Sequence, residues 1–149
     1  MLYRSLNKES QSVNFETALK NGLAKDGGLF YPEKIKKLDK SFLENLHNYS
    51  NIDIAFQVIK QFIGDEINEK DLKVIIKNTI DFDFPLIEIE NNIQTLELFH
   101  GPTLAFKDVG ARFMANCLAY FNKSNSEITT VIVATSGDTG AAVANGFLD

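Results

Sequence analysis

Cysteine is nearly absent from this chain, a basic excess is missing altogether, and no apolar run is long enough to cross a membrane. The one cysteine, Cys117, rules out an internal disulfide and fits a reducing cytoplasm. It falls on the apolar stripe of a helical pattern and reads as a small buried hydrophobe, not a reactive thiol. A net charge of −5 argues against a nucleic-acid binder but leaves room for a small anion at a locally positive site. A membrane span needs about twenty consecutive apolar residues, which the sequence does not supply. Arg4, Lys8 and Glu9 interrupt any apolar start, so no secretory signal is expected, and the protein is expected in the cytoplasm. Internal repeats, low-complexity tracts and the Gly-x-Gly-x-x-Gly dinucleotide fingerprint are also missing.

What is present is an ordinary globular composition: 149 residues, 44% of them hydrophobic. That is room for one domain, or for a small domain and part of another. Residues 1–12 are polar and read as an arm. Asn14 is placed to cap a helix from Phe15 to about Leu23, and Lys25-Asp-Gly-Gly28 turns the chain into the short extended piece Leu29–Pro32. Residues 41–47 suggest a short helix ending at a surface histidine, His47. The strongest helix follows Asn51, with Ile52, Ala55, Phe56, Ile59, Phe62 and Ile63 on one stripe, and Gly64 stops it. Another starts at Asn68 and buries Leu72, Ile75, Ile76 and Ile80. Asp65, Glu66, Glu69 and Asp71 cluster between the two. A metal could use them, but carboxylates answering helix dipoles explain them more simply. Leu86–Glu90 alternates as an edge strand, and Asn91-Asn92 turns it into a strand from Ile93 to Phe99. Composition shifts near Pro85, which sets the expected boundary between a mainly helical lobe, 1–85, and an α/β portion, 86–149.

Two stretches carry the chemistry. In the first, Gly101-Pro102 breaks the strand, and a helical pattern then runs through Val109, Phe113, Cys117 and Phe121, with Met114 and Leu118 beside them. Lys107 sits at this junction between Phe106 and Asp108. Gly101 and Lys107 have the spacing of a P-loop, but Phe106 replaces its second glycine and Asp108 its hydroxyl, so that reading fails. A solvated lysine at a helix start and a nucleophilic Schiff-base lysine against an apolar wall, here Phe106, both remain. In the second stretch, residues 128–135 form a β-branched run expected as a strand buried in a parallel sheet. It leads through Ser136-Gly-Asp-Thr-Gly140 into an alanine-rich helix. A glycine-bearing turn feeding a helix start makes an anion site, and Ser136 and Thr139 add hydroxyls.

Phe99-His-Gly-Pro-Thr-Leu-Ala-Phe-Lys-Asp108, followed by Ala134-Thr-Ser-Gly-Asp-Thr-Gly-Ala-Ala142, resembles the threonine synthases. Pro102-Thr103-x-x-Phe106-Lys107-Asp108 is similar to the cofactor-lysine motif of fold type II pyridoxal-phosphate enzymes, and Asp138 in the second loop points to threonine synthase within them. Gly22–Pro32 and Phe62–Glu66 resemble further segments of the same family, in the same order. Tyr3-Arg-Ser-Leu-Asn7 departs from the Ser-Thr-Arg of some relatives, so no role for that arginine is carried over.

The resemblance implies an α/β fold: a mainly helical amino-terminal lobe, then the first part of a three-layer α/β domain like that of tryptophan synthase β. Family members are several times longer, so the loop for the cofactor phosphate and the group facing the pyridine nitrogen are expected beyond Asp149. The implied reaction takes O-phospho-L-homoserine and water to L-threonine and phosphate with pyridoxal 5'-phosphate. Lys107 is the implied catalytic, cofactor-holding residue, with Phe106 and Asp138 also at the cofactor. Thr135, Ser136, Gly137 and Thr139 are the implied holders of the substrate carboxylate, and no metal is implied. Residues 1–149 alone are expected to bind cofactor weakly and turn over little. A related phospholyase, or a folded but silent fragment that binds a partner or itself, remain as alternatives. His100 reads as a satisfied structural histidine, Arg112 as a surface ion pair, and Asp108 as a cap for its own helix.

Overall fold

The computed structural model describes residues 1–123 and 128–148. The chain divides into two compact units, Met1–Ile76 and Lys77–Asp149.

In the first unit the amino-terminal residues are not a free arm. Strand β1 (Tyr3–Ser5) pairs antiparallel with β2 (Phe30–Pro32), Tyr3 opposite Pro32 and Ser5 opposite Phe30. The Asp26 carboxylate holds this corner together, accepting from Ser5 Oγ at 2.7 Å and from the amides of Gly28 and Glu9 at 3.0 Å each. The polar residues that suggested an arm are thus donors to one carboxylate. The Ser5 hydroxyl above all, then those amides, hold the Asp26 carboxyl down at about 2.

Helix α1 (Phe15–Asn21) starts at the expected cap, with Asn14 accepting from the Thr17 amide at 3.0 Å. Glu66 also serves that start, its two oxygens accepting from the amides of Phe15 and Glu16 at 2.9 and 3.0 Å. A short helix α2 (Lys40–Glu44) and a single 3-10 turn, Leu46–Asn48, occupy the expected place of the next helix. Helix α3 (Asn51–Ile63) is capped by Ser50, one residue earlier than expected, and ends at Gly64, where φ is 69°. Helix α4 (Glu69–Thr79) is capped by Asn68, which accepts from the Asp71 amide at 3.0 Å. Phe56, Ile63, Ile67, Leu72, Ile75 and Ile76 are buried, and their removal from water at about 25 cal/mol per Å² drives this packing. Tyr3 joins them, and its hydroxyl donates to the Phe62 carbonyl at 2.8 Å. Burial, helped by Glu66, pushes its phenol up to about 12.

In the second unit a hairpin of β3 (Leu86–Glu90) and β4 (Ile93–Leu96) turns at Asn92, whose φ is 66°. Strand β4 stops at Leu96, short of the expected Phe99. Helix α5 (Lys107–Asn122) then lies against α6 (Asp138–Gly146). The expected stripe through Val109, Phe113 and Phe121 is only half-buried, while Asp108, Ala111, Ala115 and Cys117 form the buried face. The cause is close approach: a Cβ at Gly146 would stand 3.1 Å from the Ala111 backbone, so small residues win the interface. Cys117 is buried as expected, and burial pushes its thiol up to about 12.

A further expected element differs. Residues 128–135 form no ladder, and Ile128 and Ile132 are 93% and 89% exposed. A strand exists only with a partner, and the two sheets among the described residues are two-stranded antiparallel pairs that do not include this segment.

No helix among the described residues is long and apolar enough to cross a membrane.

Candidate active site

The two sequence stretches singled out above meet within the second unit. The loop at 101–106 is drawn tight. The Leu104 amide donates to the Gly101 carbonyl at 3.0 Å, and Leu104 takes a φ of 58°. That left-handed conformation costs a branched residue about 1–2 kcal/mol. The loop ends at Phe106, and α5 begins with Lys107.

The Lys107 side chain is 33% exposed. Its Nζ lies 5.3 Å from the centre of the Phe106 ring and 3.4 Å from Asp138 Oδ2. The Phe106 ring lies beside this amine and is itself largely open to solvent. Asp138 is the first residue of α6 and is 75% exposed. An amine at one helix start therefore faces a carboxylate at another.

The turn before α6 is held by Thr135. Its Oγ1 accepts from the Gly137 amide at 3.2 Å and the Gly140 amide at 3.0 Å. Gly137 has a φ of 143°, open only to glycine without strain. A Cβ at Gly140 would press on Thr135 Oγ1 at 2.8 Å. Thr135 therefore acts as the cap of this turn, with Ser136 just before the start of α6 and Thr139 in its first turn.

The other residues singled out in the sequence divide clearly. His100 shares a 2.6 Å contact between its Nε2 and Glu97 Oε2 and stacks on Phe99, a satisfied surface histidine. Arg112 donates to both oxygens of Asp81 at 2.6 and 2.8 Å, which accounts for it as an ion pair. These hydrogen bonds hold the Asp81 carboxyl below its ordinary value. The acidic residues near 65–71 diverge to separate partners: Glu66 to α1, Glu69 to Lys60 and Asp71 to Asn68. No group that could hold a metal ion is found among the described residues.

Asp108 departs from its expected role. It is fully buried and does not cap α5. Its oxygens instead reach back to Thr103, accepting from the amide at 2.9 Å and from the hydroxyl. The signal in the sequence was the pairing of Gly101 and Thr103 with a carboxylate five residues after the threonine. A carboxylate in a first helical turn is so common that it hid this one.

These features define a class: an α/β chain in which a lysine amine opens one helix and confronts a glycine-turned second helix start. Residues 2–80 match the family described as threonine synthase N terminus. The chain is 46% identical over 144 residues to threonine synthase of Buchnera aphidicola subsp. Baizongia pistaciae, covering 96% of this chain and 34% of that protein. Its structure is similar to the crystal structure of threonine synthase from Escherichia coli, with a TM-score of 0.91 and 37% identity, over 99% of this chain and 34% of that one. A PLP-bound threonine synthase from Brucella melitensis matches with a TM-score of 0.92 and 36% identity, over 99% of this chain and 33% of that one. The chain belongs to the threonine synthase family and spans about a third of the length of the relatives it matches.

Proposed function

We propose that this chain forms the amino-terminal part of a pyridoxal-phosphate-dependent threonine synthase of fold type II. The reaction would convert O-phospho-L-homoserine and water to L-threonine and phosphate in the cytoplasm. The observation that carries this reading is the placement of the Lys107 amine at the start of α5, 3.4 Å from Asp138 at the start of α6. The donor set suits the cofactor: a partly exposed primary amine for an aldehyde, an aromatic face beside it, and a helix start that favours negative charge. When bound, pyridoxal phosphate supplies an electron sink for carbanion charge on the substrate.

Lys107 would hold the cofactor through its amine and, once released, carry protons between the α and β carbons of the substrate. Phe106 would shield one side of that amine from water. Asp138 would lie near the cofactor's ring hydroxyl. Its carboxylate beside an anionic substrate calls for compensation, and the Lys107 ammonium provides it in the free chain. Thr135, Ser136, Gly137 and Thr139 would hold the substrate carboxylate, and Thr135 would also keep the turn in shape. The mainly helical lobe would end near Pro85.

The test is covalent mapping. Pyridoxal phosphate is added to the chain, the adduct is fixed with borohydride, and the labelled peptide is sequenced. Lys107 is expected to carry the label, and Lys107→Ala to lose both the label and the absorption band. Equal labelling of other lysines, or an unchanged spectrum in Lys107→Ala, overturns the reading.

A further inference from the structure

We propose that Asp108 is a positioning residue for Lys107, working through a clasp on Thr103 and not through any contact with substrate. This rests on the reading of Lys107 as the working amine and adds what keeps it in place.

A carboxylate with no exposed surface is costly unless hydrogen bonds replace its water. Both of its oxygens are engaged by one residue, Thr103, through the amide at 2.9 Å and the hydroxyl. The Asp108 amide itself donates to the Ala105 carbonyl at 3.0 Å. Residues 103–108 are therefore closed into a ring of three hydrogen bonds, with Lys107 inside it. Gly101 lies so close that a Cβ there would strike the Asp108 carboxylate and stand 2.9 Å from Phe82. The carboxylate is thus walled in, and it cannot swing out to cap α5.

The loop needs such a restraint. Leu104 is exposed and strained at a φ of 58°, so its own side chain contributes nothing to holding that conformation. Release of the clasp would let Leu104 relax, shift where α5 begins, and turn the Lys107 amine away from Asp138.

Two readouts test this on the chain itself. In the first, lysines are reductively methylated with carbon-13 formaldehyde, and the Lys107 resonance is assigned by its loss in Lys107→Ala. Its shift on Asp138→Asn reports whether the two groups face each other. That shift is expected in the native sequence, to persist in Thr103→Ser, to shrink in Thr103→Val and to vanish in Asp108→Asn. Protection of Cys117 from a thiol reagent checks that each variant is folded, and if Asp108→Asn fails that check, Thr103→Val decides. In the second readout, the ratio of borohydride-fixed cofactor on Lys107 to that on Lys123 is expected to fall by about a hundredfold in Asp108→Asn, the scale of loss when a reacting group is misplaced by an ångström.

A full shift in both Asp108→Asn and Thr103→Val overturns the proposal. So does its absence in the native sequence, or its loss in Thr103→Ser, which keeps both hydrogen bonds. If instead the shift behaves as expected while Lys107 takes no preferential label, the clasp stands and the cofactor reading fails.

Discussion

A methyl group at position 101 would meet the buried Asp108 carboxylate, which Thr103 holds by two hydrogen bonds, and the half-buried Phe82 ring. Gly101→Ala is therefore expected to cost about 1–3 kcal/mol, the usual range for overpacking, read as a lower urea midpoint at unchanged slope. Gly137→Ala tests a different physical cause. No atom stands in the way of a Cβ there, but its φ of 143° strains any side chain. The expected loss is about 1–3 kcal/mol, confined to exchange protection of the first turn of α6. At this scale the position of Lys107 at the start of a helix was legible, because Gly101-Pro102 breaks the preceding pattern and a helical spacing follows it. Asp108 was not, because residue type and spacing say nothing of which way a carboxylate turns. Only the tight loop ahead of it makes the reversal visible.

Among the elements, the corner formed by β1, β2 and the turn at Asp26 has a definite acid limit. The Asp26 carboxyl is held at about 2, below its ordinary 3.8, so its charged form is favoured by the folded state. A lowered value contributes stability that is complete above the ordinary value and is lost as the pH falls toward 2. Exchange protection of the Glu9 and Gly28 amides is expected to disappear over that window. In Asp26→Asn the protection should be weak at every pH, with no acid transition in it. The sequence showed the turn but not the hub, since Ser5, Glu9 and Gly28 come together only once the strands pair. Helix limits were more legible: Asn14, Gly64 and Asn68 act at backbone positions where their local chemistry suffices. The stripe on α5 was misjudged because amphipathic spacing finds large apolar residues, whereas the contact with α6 selects small ones.

For the whole molecule, the exposed surface of the second unit is the main consequence. Ile128, Ile132, Leu86 and Ile89 all face solvent, and residues 128–135 stand in no ladder. Such surface favours association. The chain is expected to bind a fluorescent hydrophobic dye and to sediment with a mass that rises with concentration. Ile132→Lys should reduce both; if it changes neither, the exposed segment is not what drives association. Fold class was readable at this scale from the order of the motifs. The pairing of residues 128–135 was not, because β-branched composition declares a tendency while a ladder needs a second strand.

Thr135 gives the helix start at α6 a further property. Its hydroxyl already rests on the amides of Gly137 and Gly140, so that cradle comes with a stopper in place. An arriving anion aimed at those two amides must evict a tenant before it can settle, and a weakly charged visitor will not repay the eviction. Selectivity there would be exercised by displacement, and the turn would change shape only for a guest able to take over the bonds it interrupts.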